Sequence, residues 1–188
     1  MGPEVNEYGD IVLTDAGPLR AMADPGRLEL FDELGRHGPL TAAELADRLG
    51  ADPTETLDAL RDLAGHGLVI GTGETWTTAG KGIFFEIPDE PQAAAAARAL
   101  SNVMLGRYAD LPRRWIDQDE PRLDLDWARA AGMLNAGFTA TADELRAIQN
   151  QLEQVLAPYT GRDADDAPPD ARKVRVLSYF LPSALSDS

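Results

Sequence analysis

The sequence predicts a mainly α fold with a small β component, an α+β arrangement, and three observations carry that prediction. Apolar residues recur at three- and four-residue spacing through much of the first hundred positions, the signature of helices with one buried face. Each such segment opens on a capping residue and closes on glycine or proline. Two short β-prone runs, LVIG and TWTT, flank a tight turn at Gly73 and Glu74, which reads as a hairpin.

Taken in order, residues 1–14 carry few structural signals and are expected to form a flexible arm. Leu19 and Met22 then begin an apolar stripe. Asp24 followed by Pro25 sets an N-cap and a first-turn proline ahead of RLELFDELGRHG; the carboxylate accepts from a free amide, and proline loses nothing where no helical partner exists. In that segment Leu28, Phe31 and Leu34 fall on one face, and Gly38 with Pro39 ends it. Thr41 with Glu44 makes a capping box opening TAAELADRLG, and Asp52 with Glu55 makes a second at the head of DPTETLDALRDLAGHGLV, with Pro53 in first position. Two short helices joined around Gly50 form a helix-turn-helix. Leu45, Leu49, Leu57, Leu60 and Leu63 have one destination, the small core between the helices. The second helix spans 52–66, and the hairpin over 68–82 is a wing. Residues 15–88 thus read as a winged helix-turn-helix domain.

Residues 89–188 differ in character. AAAAARALSNVMLGRYADLPRRW is helix-prone until Pro112, and Leu100, Met104, Tyr108 and Leu111 lie along one side of it. Such a stripe needs a partner surface, and a second copy of the chain is the expected one. IDQDEPRLDLDW is an acidic connector broken by proline. GMLNAGFTAT reads as a strand, Thr141 with Glu144 caps an amphipathic helix ending near Pro158, and KVRVLSYFLP reads as a second strand. The two strands are expected to pair in a small C-terminal α+β appendage, with residues 160–171 as a flexible acidic linker.

Composition narrows the function. No cysteine is present, which excludes disulfides and every thiolate metal site. His37 and His66 are the only imidazoles, so neither a metal nor a cofactor is expected. No phosphate-cradling glycine loop, nucleophile elbow or metalloprotease motif occurs, and the chain is not expected to be an enzyme. No apolar run reaches the ~20 residues that cross a bilayer, and the first ten residues lack the pattern of a signal peptide. A cytoplasmic protein without membrane contact is expected. The net charge is −15. Over residues 1–88 six basic residues meet sixteen acidic ones, against eleven and sixteen for residues 89–188. The half with the helix-turn-helix is the more acidic half.

The segments ADPGRL (Ala23 to Leu28), LRDLAGHGLV (Leu60 to Val69) and VRVLSYFLP, in this order and spacing, resemble the winged-helix regulators of the arsenical-repressor (ArsR) family, and within it a subgroup with a long alanine-rich helix and a C-terminal α+β appendage. The resemblance covers the chain from about Leu19 to Pro182. It implies a homodimer that binds double-stranded operator DNA, each protomer setting its second helix-turn-helix helix in a major groove with the wing near the flanking backbone. It also implies release by a ligand, often a metal held by cysteines. Lacking cysteine, this chain is left with a small organic effector or none.

The DNA-facing residues expected on this basis are Thr54, Glu55, Asp58 and Arg61 on the second helix, Arg48 on the first, and Lys81 with Glu74 at the wing. Where the family carries a serine, a polar or basic residue and a histidine against DNA, this chain has Leu57, Asp58 and Ala59. Aspartate repels phosphate, and leucine offers a base edge no hydrogen bond. Trp115, Trp127, Met133 and Phe138 are candidates to line an effector pocket. The alternative function is a winged-helix protein that has lost DNA binding and serves as a protein-interaction or small-molecule-binding module.

Overall fold

A computed structural model of the chain describes residues 4–160, 162 and 167–183. The chain divides into two compact units, one running to Gly137 and the other beginning at Phe138.

The first unit opens with an ordered segment. Strand β1 (Ile11–Val12) pairs in parallel with a later strand, in the register Ile11 to Ile83 and Val12 to Phe84. Ile11 and Leu13 are buried. The arm expected to be loose is thus tied down from Glu4 onward, because two apolar side chains enter the core and three backbone bonds hold the segment: Ile11 N to Gly82 O at 2.9 Å, Leu13 N to Phe84 O at 2.8 Å and Lys81 N to Gly9 O at 2.8 Å.

Helices α1 (Ala16–Met22), α2 (Pro25–His37), α3 (Ala42–Leu49) and α4 (Pro53–Gly65) follow. Their starts are where the capping residues put them. Asp24 accepts from Arg27 N at 2.9 Å, and Thr41 and Glu44 exchange bonds in a full capping box. Asp52 accepts from Thr54 N at 2.8 Å and Glu55 N at 3.0 Å. Strand β2 (Leu40–Thr41), between α2 and α3, pairs with the wing and completes a three-stranded sheet with β3 (Val69–Thr72) and β4 (Thr75–Thr78), in the order β2-β4-β3. Gly73 turns the hairpin with φ +64°, a conformation glycine adopts without Cβ strain. Strand β5 (Ile83–Phe84) is the partner of β1, and α5 (Pro91–Tyr108) packs on α1.

One hydrophobic core joins these elements. Ile11, Leu19, Met22, Leu28, Leu34, Leu45, Leu60, Leu63, Leu68 and Leu100 are its fully buried large side chains, each contributing about 1.5–3 kcal/mol of transfer free energy. Leu49 is only half-buried, at the edge of that core. Beyond α5 the first unit continues through α6 (Leu111–Arg114), a π turn (Trp115–Asp119), a 3-10 turn (Glu120–Arg122) and α7 (Leu125–Ala130). The acidic connector is therefore helical in short pieces, each about one turn.

The second unit contains α8 (Ala142–Thr160), capped by Thr141, which accepts from Glu144 N at 3.2 Å and donates its own N–H to Glu144 Oε2 at 2.7 Å. The strands expected in GMLNAGFTAT and KVRVLSYFLP are not formed: residues 131–141 and 171–183 have no regular secondary structure. A strand needs a ladder partner to satisfy its backbone, and neither segment finds one among the described residues. Most of the linker expected at 160–171, with the Asp165–Asp166 pair, lies outside the described residues.

Candidate nucleic-acid interface

Helix α4 has two unlike faces. Thr56, Leu60 and Leu63 are buried, while Thr54, Glu55, Asp58, Arg61 and Asp62 are exposed. The 3.6-residue repeat sorts them. Ala59 packs against the core and Leu57 is half-buried, so Asp58 alone of Leu57, Asp58 and Ala59 stands on the exposed face. Only Ala59 of the three apparent departures from a DNA-reading pattern is a core-side position; Leu57, expected in the core between the helices, is half-buried and does not join it. The exposed departure is a charge.

The arginines expected at this surface are held by carboxylates of their own chain. Arg61 Nη1 lies 3.1 Å from Asp58 Oδ1, one turn back on α4. Arg48 Nη1 reaches Glu33 Oε1 on α2 at 3.4 Å. Asp62, which has no structural partner within its own helix, meets Arg27 Nη1 from the first turn of α2 at 2.8 Å. Both side chains of the Arg61–Asp58 pair are nearly two-thirds exposed, and exposed pairs are worth about 0–1 kcal/mol each. They therefore stabilise the fold little. Their larger consequence is electrostatic, since each arginine facing outward carries a neutralising charge with it.

Glu33 is a hub. It takes Arg36 Nη1 at 2.7 Å, His37 Nε2 at 3.2 Å and Arg48 Nη1 at 3.4 Å. Beside it Asp32 accepts from Arg107 Nε at 3.2 Å and from the Tyr108 hydroxyl at 3.4 Å. A polar seam thus runs from α3 across α2 to the end of α5.

The wing presents Glu74 at its tip and Lys81 at its exit. Trp76 lies flat on the hairpin, close enough that a Cβ added to Gly71 would sit 3.2 Å from its ring. Lys81 is exposed, with its methylenes laid over Gly9: a Cβ there would come within 3.0 Å of Cδ. Asp10 lies beside it. Burial pushes the Asp10 carboxyl above its ordinary range, while the Lys81 charge and a hydrogen bond with Asn6 pull it back. Lys81 is thus positioned by the N-terminal segment, a relationship between residues too distant in sequence to be read from pattern.

The other expected site residues divide. Leu100 is fully buried in its own protomer's core, packed through the alanine face of α5, so it cannot present itself to a partner. The expectation that it lines a dimer interface is corrected on that ground. Met104, Tyr108 and Leu111 are half-buried, and Leu105 is 53% exposed. Trp115 and Trp127 are half-buried, whereas Met133 is 75% and Phe138 59% exposed. An open hollow of about 280 Å³ is lined by Ala109, Pro112, Arg113, Ile116 and Asp117. Among the described residues no group of three or more histidines and carboxylates is placed to hold a metal ion. No helix among them is long and apolar enough to cross a membrane.

Comparisons with known proteins agree with this geometry. A family model described as a helix-turn-helix domain matches residues 22–72, which span α2, α3, α4 and β3. The chain is 35% identical over 74 residues to the HTH-type transcriptional regulator NmtR of Mycobacterium tuberculosis (strain ATCC 25618 / H37Rv), a match covering 39% of this chain and 57% of that protein.

Proposed function

We propose that the chain is a homodimeric, cysteine-free winged-helix transcriptional regulator of the arsenical-repressor type, which binds double-stranded operator DNA through α4 and the wing. The observation that supports it best is the α4 exposed face: Thr54, Glu55, Asp58 and Arg61 stand free of the core, on a helix whose opposite side is fully committed to packing. The match to the helix-turn-helix family model, over residues 22–72, includes this helix. Arg48, Arg61 and Lys81 supply phosphate contacts, doubled in a dimer to about six, the low end of the 6–10 that salt-sensitive binders make. Met104, Tyr108 and Leu111, with Leu105, supply the apolar side of the dimer contact, and a small organic effector would be met near Trp115 and Trp127.

Binding in this reading is weak and confined to low salt, because Asp58 and Glu33 compete with phosphate for Arg61 and Arg48. The competing reading, a module that has given up DNA for a protein or small-molecule partner, draws on those same pairs. A fluorescence-anisotropy titration with duplex from the protein's own promoter region, from 20 to 200 mM salt (about a tenfold range chosen for the logarithmic dependence), separates the two. The regulator binds at the low end, and the logarithm of its affinity falls linearly with the logarithm of salt concentration. Absence of binding at the lowest salt by a folded protein overturns the regulator and leaves the module.

A further inference from the structure

Lys81 is the only lysine among residues 1–88, and the turn that supports it is built on one side chain. Asn6 Oδ1 accepts from Tyr8 N at 3.0 Å and from Asp10 N at 2.9 Å. The backbone closes the same turn, with Asn6 N donating to Asp10 O at 2.9 Å and Gly9 N to Asn6 O at 3.0 Å. Gly9, at φ +90°, supplies its left-handed corner. The Gly9 carbonyl then accepts from Lys81 N at 2.8 Å, and the lysine methylenes lie over its Cα. We propose that Asn6 is a positioning residue for the Lys81 phosphate contact, acting through this turn, an inference that rests on the operator-binding reading.

Two features of the wing exit fit that role. Glycines stand on both sides of Lys81, where a Cβ on Gly80 would come 2.7 Å from Gly9 O and one on Gly82 2.8 Å from Asp10 Oδ1. The turn therefore meets the exit backbone to backbone at Gly80, and through the Asp10 carboxylate at Gly82. The second feature is the state of the lysine stem. A stem free in solvent gives up rotamer freedom when its ammonium meets a phosphate. One already laid over Gly9 has given up part of it in the folded chain, and that part no longer opposes binding. Removing the Asn6 amide leaves the Tyr8 and Asp10 N–H groups without their acceptor, so the turn loosens and the stem regains its freedom. Lys81 keeps its charge in such a variant and loses only its placement.

A double-mutant cycle in the full-length chain tests this, with native protein, Asn6→Ala, Lys81→Ala and the double variant each titrated with promoter duplex by anisotropy over a salt series. Lys81→Ala is expected to lower the slope of log affinity against log salt by about 0.9 in each protomer. Asn6→Ala is expected to weaken low-salt binding about threefold per protomer, the cost of ordering a freed lysine at a phosphate. With Lys81 already replaced, Asn6→Ala is expected to change nothing further. Hydrogen exchange of the Lys81 amide is expected to speed up about tenfold or more in Asn6→Ala, while the Leu60 amide in α4 keeps its rate. Native-like affinity of Asn6→Ala overturns the proposal, as does unchanged exchange at Lys81. A loss of equal size in both backgrounds also overturns it, because the turn would then support the fold and not the lysine. A native chain that binds no duplex at any salt overturns the operator-binding reading and the phosphate contact with it, whereas native binding matched by Asn6→Ala overturns the role of Asn6 alone.

Discussion

Residues 4–100 and residues 101–183 contain apolar side chains in abundance but use them differently. Every buried apolar residue of the described chain lies at or before Leu100, whereas Leu105, Leu125, Met133, Leu134, Val155, Val174 and Leu181 are more than half exposed. The first region has a core that specifies it within one chain. Later residues keep their helices by local means, with Asp124 capping α7 and Thr141 with Glu144 capping α8, yet they bury little. Local propensity suffices to shape a helix, but only burial gives it a unique place.

The largest effect that sharpens this contrast is a core truncation. Leu60→Ala is expected to cost about 2–5 kcal/mol in denaturant unfolding, whereas Val155→Ala changes stability by less than about 0.5 kcal/mol at concentrations where the chain is monomeric. A comparable loss from Val155→Ala would break the comparison. Next comes the N-terminal strap. In Gly80→Ala the new Cβ would lie 2.7 Å from Gly9 O and 2.8 Å from Ile11 Cγ1, so the strap must shift, at a cost of about 1–3 kcal/mol. Hydrogen exchange of the Leu13 amide, which bonds Phe84 O, would report the loosening. Asp52→Ala removes both bonds at the head of α4 and is expected to cost about 1 kcal/mol by thermal unfolding.

The smallest effect is one of pH. Amide and hydroxyl donors from Thr41 hold Glu44 below the ordinary carboxylate range, and Thr141 does the same for Glu144. A depressed folded-state value means stability that is present above the unfolded value and lost as pH falls through the folded one. Helicity followed by circular dichroism should therefore decline on acidification below the usual glutamate range. Glu144→Gln, which can still cap, should remove its share of that decline; an unchanged profile would assign the acid response elsewhere.

What the sequence discloses follows from the range of each interaction. Caps and periodicity act within four residues, which is why Asp24, Thr41 and Asp52 locate three helix starts, and Leu28, Phe31 and Leu34 one buried face. The Arg61–Asp58 pair, one helical turn, is legible in the same way. Strand β2 is two residues long and exists because Leu40 pairs with Trp76; nothing local announces it. Ile11 and Leu13 look stray in a polar arm until β5 gives them a parallel partner. Arg27 with Asp62, and Arg48 with Glu33, join different helices, and only tertiary packing places them together. The candidate interface was thus legible as a surface, whereas the pairing that neutralises it was not.

That pairing is the central claim, and releasing it is the most direct test. Anisotropy titrations of promoter duplex over a salt series should compare the native chain with the Asp58→Asn, Asp62→Asn double variant, in which Arg61 and Arg27 lose their partners. The variant is expected to bind about tenfold or more tightly at low salt, with the slope of log affinity against log salt steeper by about one for each arginine that gains a phosphate in each protomer. Identical affinities and slopes for the two folded proteins would contradict it.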